Sequence, residues 1–450
     1  MVSQSLRGWL GVGAAIVVFA AAGCGSSGDD SSTSGGSTAA ATGASTSAAA
    51  PETTASTSTE SSGSGGAGAD SVTDYAAYVG GSGKADPSKP PVYIGWVNQQ
   101  GGQEVIGAAA TDGAEFAVKA INDLYGGIDG RPVKLKTCFI KSAEEEGTTC
   151  AQKLGNDPDV KVIDMGGVAT GIQSFYSSID KPVITGVAAT PVDGAQKWAT
   201  VLFGDSSHVL GPMGTYARDV LKAQSSAQIY PNTSGVREGA QAIQAAMKNA
   251  GVPNKSVAYS QGQTDLVGPL TAAGAQSADM VIPYSDASGC VNQAKALKQL
   301  GITDSKKIVS APLCLNPDVA AGLGGDFPLW TYSIASSLYG DPTDKSMAVY
   351  MKLADQYKIK AAPDPWVIVS FGVVMSTAKI LNQVGPDASS DEILKAARDF
   401  KGPVVLGAPE LQCGKYSDAP AICNDRAQFF TYAGKGKFDK AAGWLAQPND

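Results

Sequence analysis

The sequence predicts an α/β protein of two similar lobes, each a parallel sheet flanked by helices. Three observations carry this. From Val92 onward, short apolar runs alternate with amphipathic segments of helical period, and strands separated by single helices pair in parallel through right-handed crossovers. The pattern then restarts: Ala114–Leu124 runs into Gly126-Gly127-Ile128, and Ala240–Ala250 runs into Gly251-Val252, an echo that points to two lobes rather than one long sheet. At 450 residues the chain is long enough to bury two cores.

Residues 1–23 fit an export signal, with Arg7 ahead of the apolar run Trp9–Ala22. Ala21-Ala22-Gly23-Cys24 resembles the lipobox of bacterial lipoproteins, which makes Cys24 the expected lipidation site and mature N-terminus. Residues 24–90 are rich in Ser, Thr, Gly and Ala and read as a disordered tether, since so few large apolar groups cannot offset backbone entropy. Within it, Gly63-Ser64-Gly65-Gly66-Ala67-Gly68 spells a dinucleotide fingerprint, but it neither follows a strand nor opens a helix.

The first lobe starts with the strand Val92–Val97 and the polar loop Asn98–Gly102. A helix over Gly107–Leu124 follows, stopped by Gly126-Gly127. Then come the strand Pro132–Phe139, a helix over Glu144–Asn156 and the strand Val160–Met165 with loop Gly166–Gly171. The strand Pro182–Thr185 has loop Gly186–Pro191, and Val201–Phe203 closes the series. The second cycle holds a helix over Val209–Lys222, the strand Ala227–Tyr230, a helix over Gly235–Ala250, and strands Ser256–Tyr259 and Met280–Pro283. A helix over Ala287–Leu300 and the strand Lys307–Ser310 end it. From Leu313 the tail reads as mostly helical. Its uncharged run Trp366–Met375 is short for a membrane span and is expected as a core helix.

Charge and composition exclude several functions. Lys and Arg number 34 against 42 Asp and Glu, a net charge of −8, which disfavours nucleic acid and anionic membrane surfaces as partners. His208 is the single histidine, so histidine metal clusters and most histidine-based catalysis are nearly excluded, and no metal site is expected. Seven cysteines minus Cys24 leave six, an even number suited to an exported chain. They fall into the sequence-close pairs Cys138–Cys150, Cys290–Cys314 and Cys413–Cys423. Many other connectivities are open to six cysteines. Each such loop, if unstrained, would stabilise by about 3 kcal/mol.

Few motifs carry chemistry. Gly204-Asp205-Ser206-Ser207-His208 looks like the nucleophile block of GDS-type esterases, yet that chemistry needs a histidine from elsewhere, and a helix cap explains the same letters. Glu144-Glu145-Glu146 points in three directions and reads as a solvated helix start rather than a metal site. No catalytic residue is assigned and no cofactor is expected. What remains are glycine-flanked polar loops at successive strand ends, in both lobes. Loops of this kind, with free backbone N–H groups, suit carboxylates and other small polar groups in a cleft.

From Val92 to about Gly443 the chain resembles the type I solute-binding proteins of ABC transporters, in the branched-chain amino acid group. The resemblance is carried by Gly113, Ala117, Ile121 and Asn122, by Gly126-Gly127-Ile128-Asp129-Gly130-Arg131-Pro132, by Val160–Thr170 and Ile184–Pro191, and by Leu338-Tyr339-Gly340-Asp341-Pro342. It implies two Rossmann-like lobes joined by three hinge crossings, near Gly204, Ala311 and Ala427. Lobe 1 would hold residues 91–204 and 312–427, and lobe 2 residues 205–311 and 428–450. The Cys138–Cys150 pair falls where such proteins often have a disulfide.

The resemblance implies ligand contacts from Val168, Ala169, Thr170, Ala188, Ala189 and Thr190 on the first lobe, and the strand-end amides Asn98, Gln99 and Gln100 are candidate cleft-wall residues beside them. Ser234, Ser285 and Asp286 are expected on the second, with Tyr339 as a pocket aromatic. Amino-acid binders place a serine near Val168 and an acid at Gly289, so here the hydroxyls are Thr170 and Thr190 and the nearest acid is Asp286. The resemblance implies a monomeric protein, not an enzyme, anchored by lipid to the outer face of the cytoplasmic membrane. It would carry an amino acid, amide, carboxylic acid or sugar-like solute to ABC permease subunits. The rival readings are an exported carboxylate-dependent hydrolase and a ligand sensor for a membrane signalling partner.

Overall fold

A computed structural model gives the architecture of residues 71–448, apart from 103–106, 189 and 234. The export signal, Cys24, most of the expected tether, Ala189 and Ser234 lie outside the described residues. The described chain opens with a helix where tether was expected. In α1 (Tyr75–Val79), Asp74 caps the N-terminus by accepting from the Ala77 N–H at 2.9 Å, and Gly80 ends it at φ 91°. Tyr75, Tyr78 and Val79 are buried in the first-lobe core. The Tyr75 hydroxyl donates to the Ser346 carbonyl at 2.9 Å, and that of Tyr78 meets Ser376 Oγ at 2.9 Å. Residues 75–79 are therefore not tether, because two tyrosines and a valine at helical spacing find a core to bury in.

The first lobe continues as β1 (Val92–Gln99), α2 (Ala109–Leu124), β2 (Val133–Ile140), α3 (Glu145–Gly155), β3 (Val160–Met165), α4 (Ile172–Ser178), β4 (Val183–Val187), α5 (Pro191–Ala195) and β5 (Ala199–Gly204). Its five strands are parallel in the order β2-β1-β3-β4-β5. Both faces are covered, which is why β1 reads as an almost unbroken buried run rather than an alternating one.

The second lobe runs through α6 (Ser206–Val209), α7 (Pro212–Thr215), β6 (Ser226–Pro231), α8 (Val236–Asn249), β7 (Asn254–Tyr259), α9 (Val267–Ala273), β8 (Met280–Pro283), α10 (Ala287–Gln299), β9 (Val309–Ser310), α11 (Pro317–Gly322) and β10 (Thr331–Ile334). The expected single helix over Val209–Lys222 is instead α6, α7 and a π turn at Tyr216–Val220. Pro212 cannot donate an N–H, and Gly214 lies so close to α8 that a Cβ there would sit 2.3 Å from the Ala246 carbonyl oxygen.

The chain then returns to the first lobe with α12 (Lys345–Tyr357), α13 (Pro365–Val384), α14 (Ser390–Arg398) and the small pair β11 (Lys401–Gly402) and β12 (Leu411–Gln412). Helix α13 is long and apolar enough to span a membrane, yet it packs on α2 and β4 with its residues buried on nearly all sides. It is a core helix.

The tail is less helical than expected. The hairpin β13 (Arg426–Gly434) and β14 (Lys437–Ala446) pairs antiparallel with β10, and β10 pairs parallel with β9. A bridge from Val281 to Ile308 joins that sheet to the parallel trio β7-β6-β8. Residues 312–334 thus belong to the second lobe, and the crossing expected near Ala311 lies after Ile334. The reason is local: Thr331–Ile334 are all buried between two strands of the second lobe. The other crossings follow Gly204 and Cys423. Ile422 still bridges to Val201 of the first lobe, while Arg426 already opens β13. All three expected disulfides form, with Cα–Cα distances of 5.5, 5.6 and 3.9 Å for Cys138–Cys150, Cys290–Cys314 and Cys413–Cys423.

Candidate functional site

In open α/β sheets, ligands sit beyond the carboxyl ends of the strands, and each lobe gathers its polar loops at that edge. In the first lobe, β1 delivers Asn98, Gln99 and Gln100. All three side chains are turned into the protein. Asn98 is fully buried, donating to Gln100 Oε1 at 2.9 Å and the Gly107 carbonyl at 2.8 Å. The Thr111 hydroxyl donates to the same Gln100 oxygen at 2.6 Å and receives the Trp96 indole N–H at 2.9 Å. Gln99 Oε1 accepts the backbone N–H groups of Ala169 (2.9 Å) and Thr170 (3.3 Å). These residues shape the loops of the edge. As cleft walls, the role expected of them, Asn98 and Gln99 are too deeply buried.

The loop after β3 places Val168 in the core and leaves Ala169 exposed and Thr170 half-buried. Glu144 fastens the far end of that loop, accepting from the Gly171 N–H at 2.8 Å and the Ser174 N–H at 3.0 Å. Glu146 accepts three more backbone N–H groups, from residues 141 to 143. The acid run thus serves loop geometry. After β4, Ala188 donates to the Gly204 carbonyl at 3.2 Å. Thr190 caps α5: its N–H and its hydroxyl both reach Asp193 Oδ2, at 3.2 and 3.3 Å. Asp193 also accepts from the Tyr176 hydroxyl at 3.0 Å, and burial pushes its carboxyl up to about 6. The sequence reading expected free N–H groups on these loops. Those of Ala169, Thr170, Gly171, Ala188 and Thr190 are engaged, because acceptors from β1, the start of α3, β5 and α5 converge on them.

In the second lobe, Asn232 follows β6, and β7 ends at Tyr259 followed by Ser260 and Gln261. With Gln263 and Pro269 these line an open concavity of about 480 Å³. Sequence reasoning passed over Tyr259–Gln263; a run of hydroxyls and amides directly after a strand was the signal available. Ser285, expected as a contact, is buried against the Tyr259 hydroxyl at 3.2 Å. Asp286 caps α10, and its Oδ1 accepts the Gly289 N–H at 2.8 Å and the Ser288 hydroxyl at 3.0 Å. At Gly289 a Cβ would lie 1.8 Å from Ser285 Oγ and 2.9 Å from the Tyr259 hydroxyl, so no side chain fits there.

The crossings connect these edges. Asn424 Nδ2 donates to the Phe203 carbonyl at 3.0 Å and to the Arg426 carbonyl at 3.1 Å, tying the first and third strands of the hinge. Ser337 N–H donates to the Leu406 carbonyl at 2.7 Å, and Gln428 Nε2 to the Ser336 carbonyl at 2.8 Å, so the second crossing is held from both lobes. Tyr339 lies in the turn after that crossing and packs against the first-lobe core. His208 faces Asp205, Nδ1 to Oδ1 at 2.7 Å, with its ring 4.2 Å from that of Tyr416. Asp205 caps α6, so the Gly204–His208 letters are accounted for by a helix start. Among the described residues, no cluster of three or more His, Cys, Asp or Glu side chains suits a metal ion.

The family profile for periplasmic binding proteins matches residues 91–414, more than two thirds of the chain. The chain belongs to the periplasmic binding protein family. Solved structures agree on the type I fold. A substrate-binding protein of an ABC transporter from Sphaerobacter thermophilus superposes with a TM-score of 0.63 at 14% identity, covering 80% of this chain and 99% of its own. The branched-chain amino acid transporter substrate-binding protein of Streptococcus pneumoniae, solved with isoleucine, gives 0.58 at 17% identity, covering 79% and 100%. A solute-binding protein of an ABC transporter from R. palustris, solved with benzoate, gives 0.57 at 16% identity, covering 79% and 98%. No curated protein sequence matches.

Proposed function

We propose that the chain is the exported, lipid-anchored solute-binding component of an ABC importer. It captures a small polar solute between its lobes and delivers it to permease subunits. The observation that supports this best is the pairing of two polar strand-end edges with three crossings held by side-chain bonds such as those of Asn424. A solute touching both edges favours the closed arrangement of such a hinge. Similar structures hold isoleucine and benzoate, which sets the scale of the solute.

The first lobe would contribute Ala169, Thr170, Ala188 and Thr190, and the second Asn232, Tyr259, Ser260, Gln261 and Asp286, with Tyr339 from the hinge. Residues 1–23 would direct export, Cys24 would carry the lipid, and the polar segment after it would give reach from the membrane. The protein works as a monomer without cofactor and performs no chemistry.

The test is a thermal-shift screen of amino acids, amides, aromatic acids and sugars. A solute at 100 times its dissociation constant adds about 2.7 kcal/mol to stability. If none raises the melting temperature, the reading fails.

A further inference from the structure

Asp193 lies in α5, behind the loop that follows β4, and is only 1% exposed. Its Oδ1 accepts the Tyr176 hydroxyl at 3.0 Å. Its Oδ2 accepts the Thr190 N–H at 3.2 Å and the Thr190 hydroxyl at 3.3 Å. Thr190 is itself partly exposed at the strand-end edge, so one hydroxyl joins a buried acid to the face where a solute would sit.

An ionised carboxylate only accepts. While Asp193 is ionised, the Thr190 hydroxyl aims its proton at Oδ2 and turns a lone pair toward the edge. A protonated carboxyl must donate in its turn. At Oδ1 the new proton would displace the one that Tyr176 directs there, and Tyr176 is buried. At Oδ2 it passes to Thr190 Oγ1, whose own proton swings outward to water or solute. Partial exposure makes this second exchange the easier one. One proton thus reverses the polarity of the Thr190 hydroxyl without moving the backbone.

Burial pushes the Asp193 carboxyl up to about 6, so both forms are populated under mildly acidic conditions. From α4 the group facing it is the Tyr176 hydroxyl. The run Ala199–Gly204 of β5 holds no charged residue. Ala419 and Ile422, both apolar, lie against Gly194. Arg398 of α14 donates to the Gln196 and Ala199 carbonyls at 2.8 and 3.2 Å, past the far end of α5, and Lys197 lies over the Trp198 ring.

We infer that Asp193 is a proton switch behind the solute site, a positioning residue that acts through Thr190. Ionised, it makes Thr190 an acceptor that selects a solute N–H or O–H group. Protonated, it makes Thr190 a donor that selects a carbonyl or carboxylate oxygen. The inference rests on reading Thr190 as a solute contact. By linkage, a solute that donates to Thr190 expels a proton from Asp193, and one that only accepts draws a proton in. Affinity for the first rises with pH through the titration of Asp193, and affinity for the second falls.

The test uses the mature chain and two matched pairs, leucine with 4-methylpentanoate and benzamide with benzoate. The first member of each offers N–H donors and the second offers none. From about pH 7.5 down to about pH 5.5 the carboxylate probes stay mostly ionised. Over that range calorimetry should show the affinity ratio of donor-bearing to acceptor-only member falling by about tenfold or more. Asp193→Asn keeps an acceptor for Thr190 and has nothing to titrate, so it should hold the ratio at its high-pH value throughout. In the wild type near pH 6, runs in two buffers of different ionisation enthalpy should show proton release with the first member of a pair and uptake with the second. A merely structural Asp193 would move both members alike.

A ratio independent of pH in the wild type overturns the inference and leaves the solute-binding reading standing. A pH-dependent ratio that persists in Asp193→Asn overturns the role of Asp193. If no member of either pair binds at either pH, the inference falls together with the solute-binding reading. Should the variant not fold, the proton count in the wild type decides: the same sign for both members of a pair overturns the inference.

Discussion

Asp164→Asn is expected to flatten the pH dependence of stability. Asp164 lies near the carboxyl end of β3, fully buried against α13. One oxygen accepts the Thr377 hydroxyl at 2.7 Å, and the other has no partner. Burial pushes its carboxyl up to about 8, and the Thr377 bond opposes this only in part. In the unfolded chain an aspartate titrates near 3.9, at about its reference value. Between roughly pH 4 and pH 8 the native state therefore holds a proton that the unfolded state has released. Stability from this group is present at the acid end of that window and is lost as pH rises, by about 1.4 kcal/mol per pH unit. From pH 5 to pH 7.5 this sums to about 3 kcal/mol. An asparagine keeps the shape and has nothing to titrate. Urea unfolding of both proteins at several pH values isolates the residue, because other groups cancel in the difference. Asp164→Asn should gain on the wild type as pH rises. A difference independent of pH would mean that Asp164 is already ionised in the folded state, and would refute the argument from burial.

Two further outcomes follow from contacts at the edges of the first lobe. Thr190→Val removes the cap of α5 and should lower stability by about 1 kcal/mol, together with a loss of solute affinity; Thr190→Ser should keep both, as judged by melting temperature and calorimetry. A chain starting at residue 84 rather than 71 lacks Tyr75, Tyr78 and Val79, and should unfold several kcal/mol more easily in urea, each buried side chain contributing roughly 2 kcal/mol. Equal stability of the two chains would return that segment to the tether.

The parallel half of the fold is legible because its strands are buried on both faces, so apolar runs such as Val160–Met165 and Met280–Pro283 mark themselves out. The antiparallel half is not. Thr331–Ile334 is four residues long and mixes hydroxyls with apolar groups, and the β14 strand is half-exposed, so neither shows a period long enough to read. Helix α1 is hidden by composition: Tyr75, Tyr78 and Val79 sit among the small residues that define a tether. At the site, sequence located the loops through their glycines but not the direction of their bonds. That Gln99 turns inward to two N–H groups of another loop depends on β1 lying beside β3, a fact of tertiary pairing that no local pattern carries.

The placement of the disulfides bears on whether the hinge can work. Cys138–Cys150 joins β2 to α3 within the first lobe, and Cys413–Cys423 closes a loop before the third crossing. Cys290–Cys314 is the informative case. Had the chain crossed back near Ala311, Cys314 would stand on the first lobe and its bond to Cys290 would staple the lobes together. Because β10 carries the chain onward within the second lobe, the bond instead pins the turn after β9 to the first turn of α10, at a Cα–Cα distance of 5.6 Å. That turn ends on the same edge as Asp286 and Ser260. Each disulfide thus braces a segment inside one lobe and none spans the crossings. The links between lobes are instead bonds such as those of Asn424 and Gln428, each worth about 1 kcal/mol, and the ion pair of Lys440 with Asp341 at 2.9 Å, a scale comparable to the contacts that the proposed solute would add.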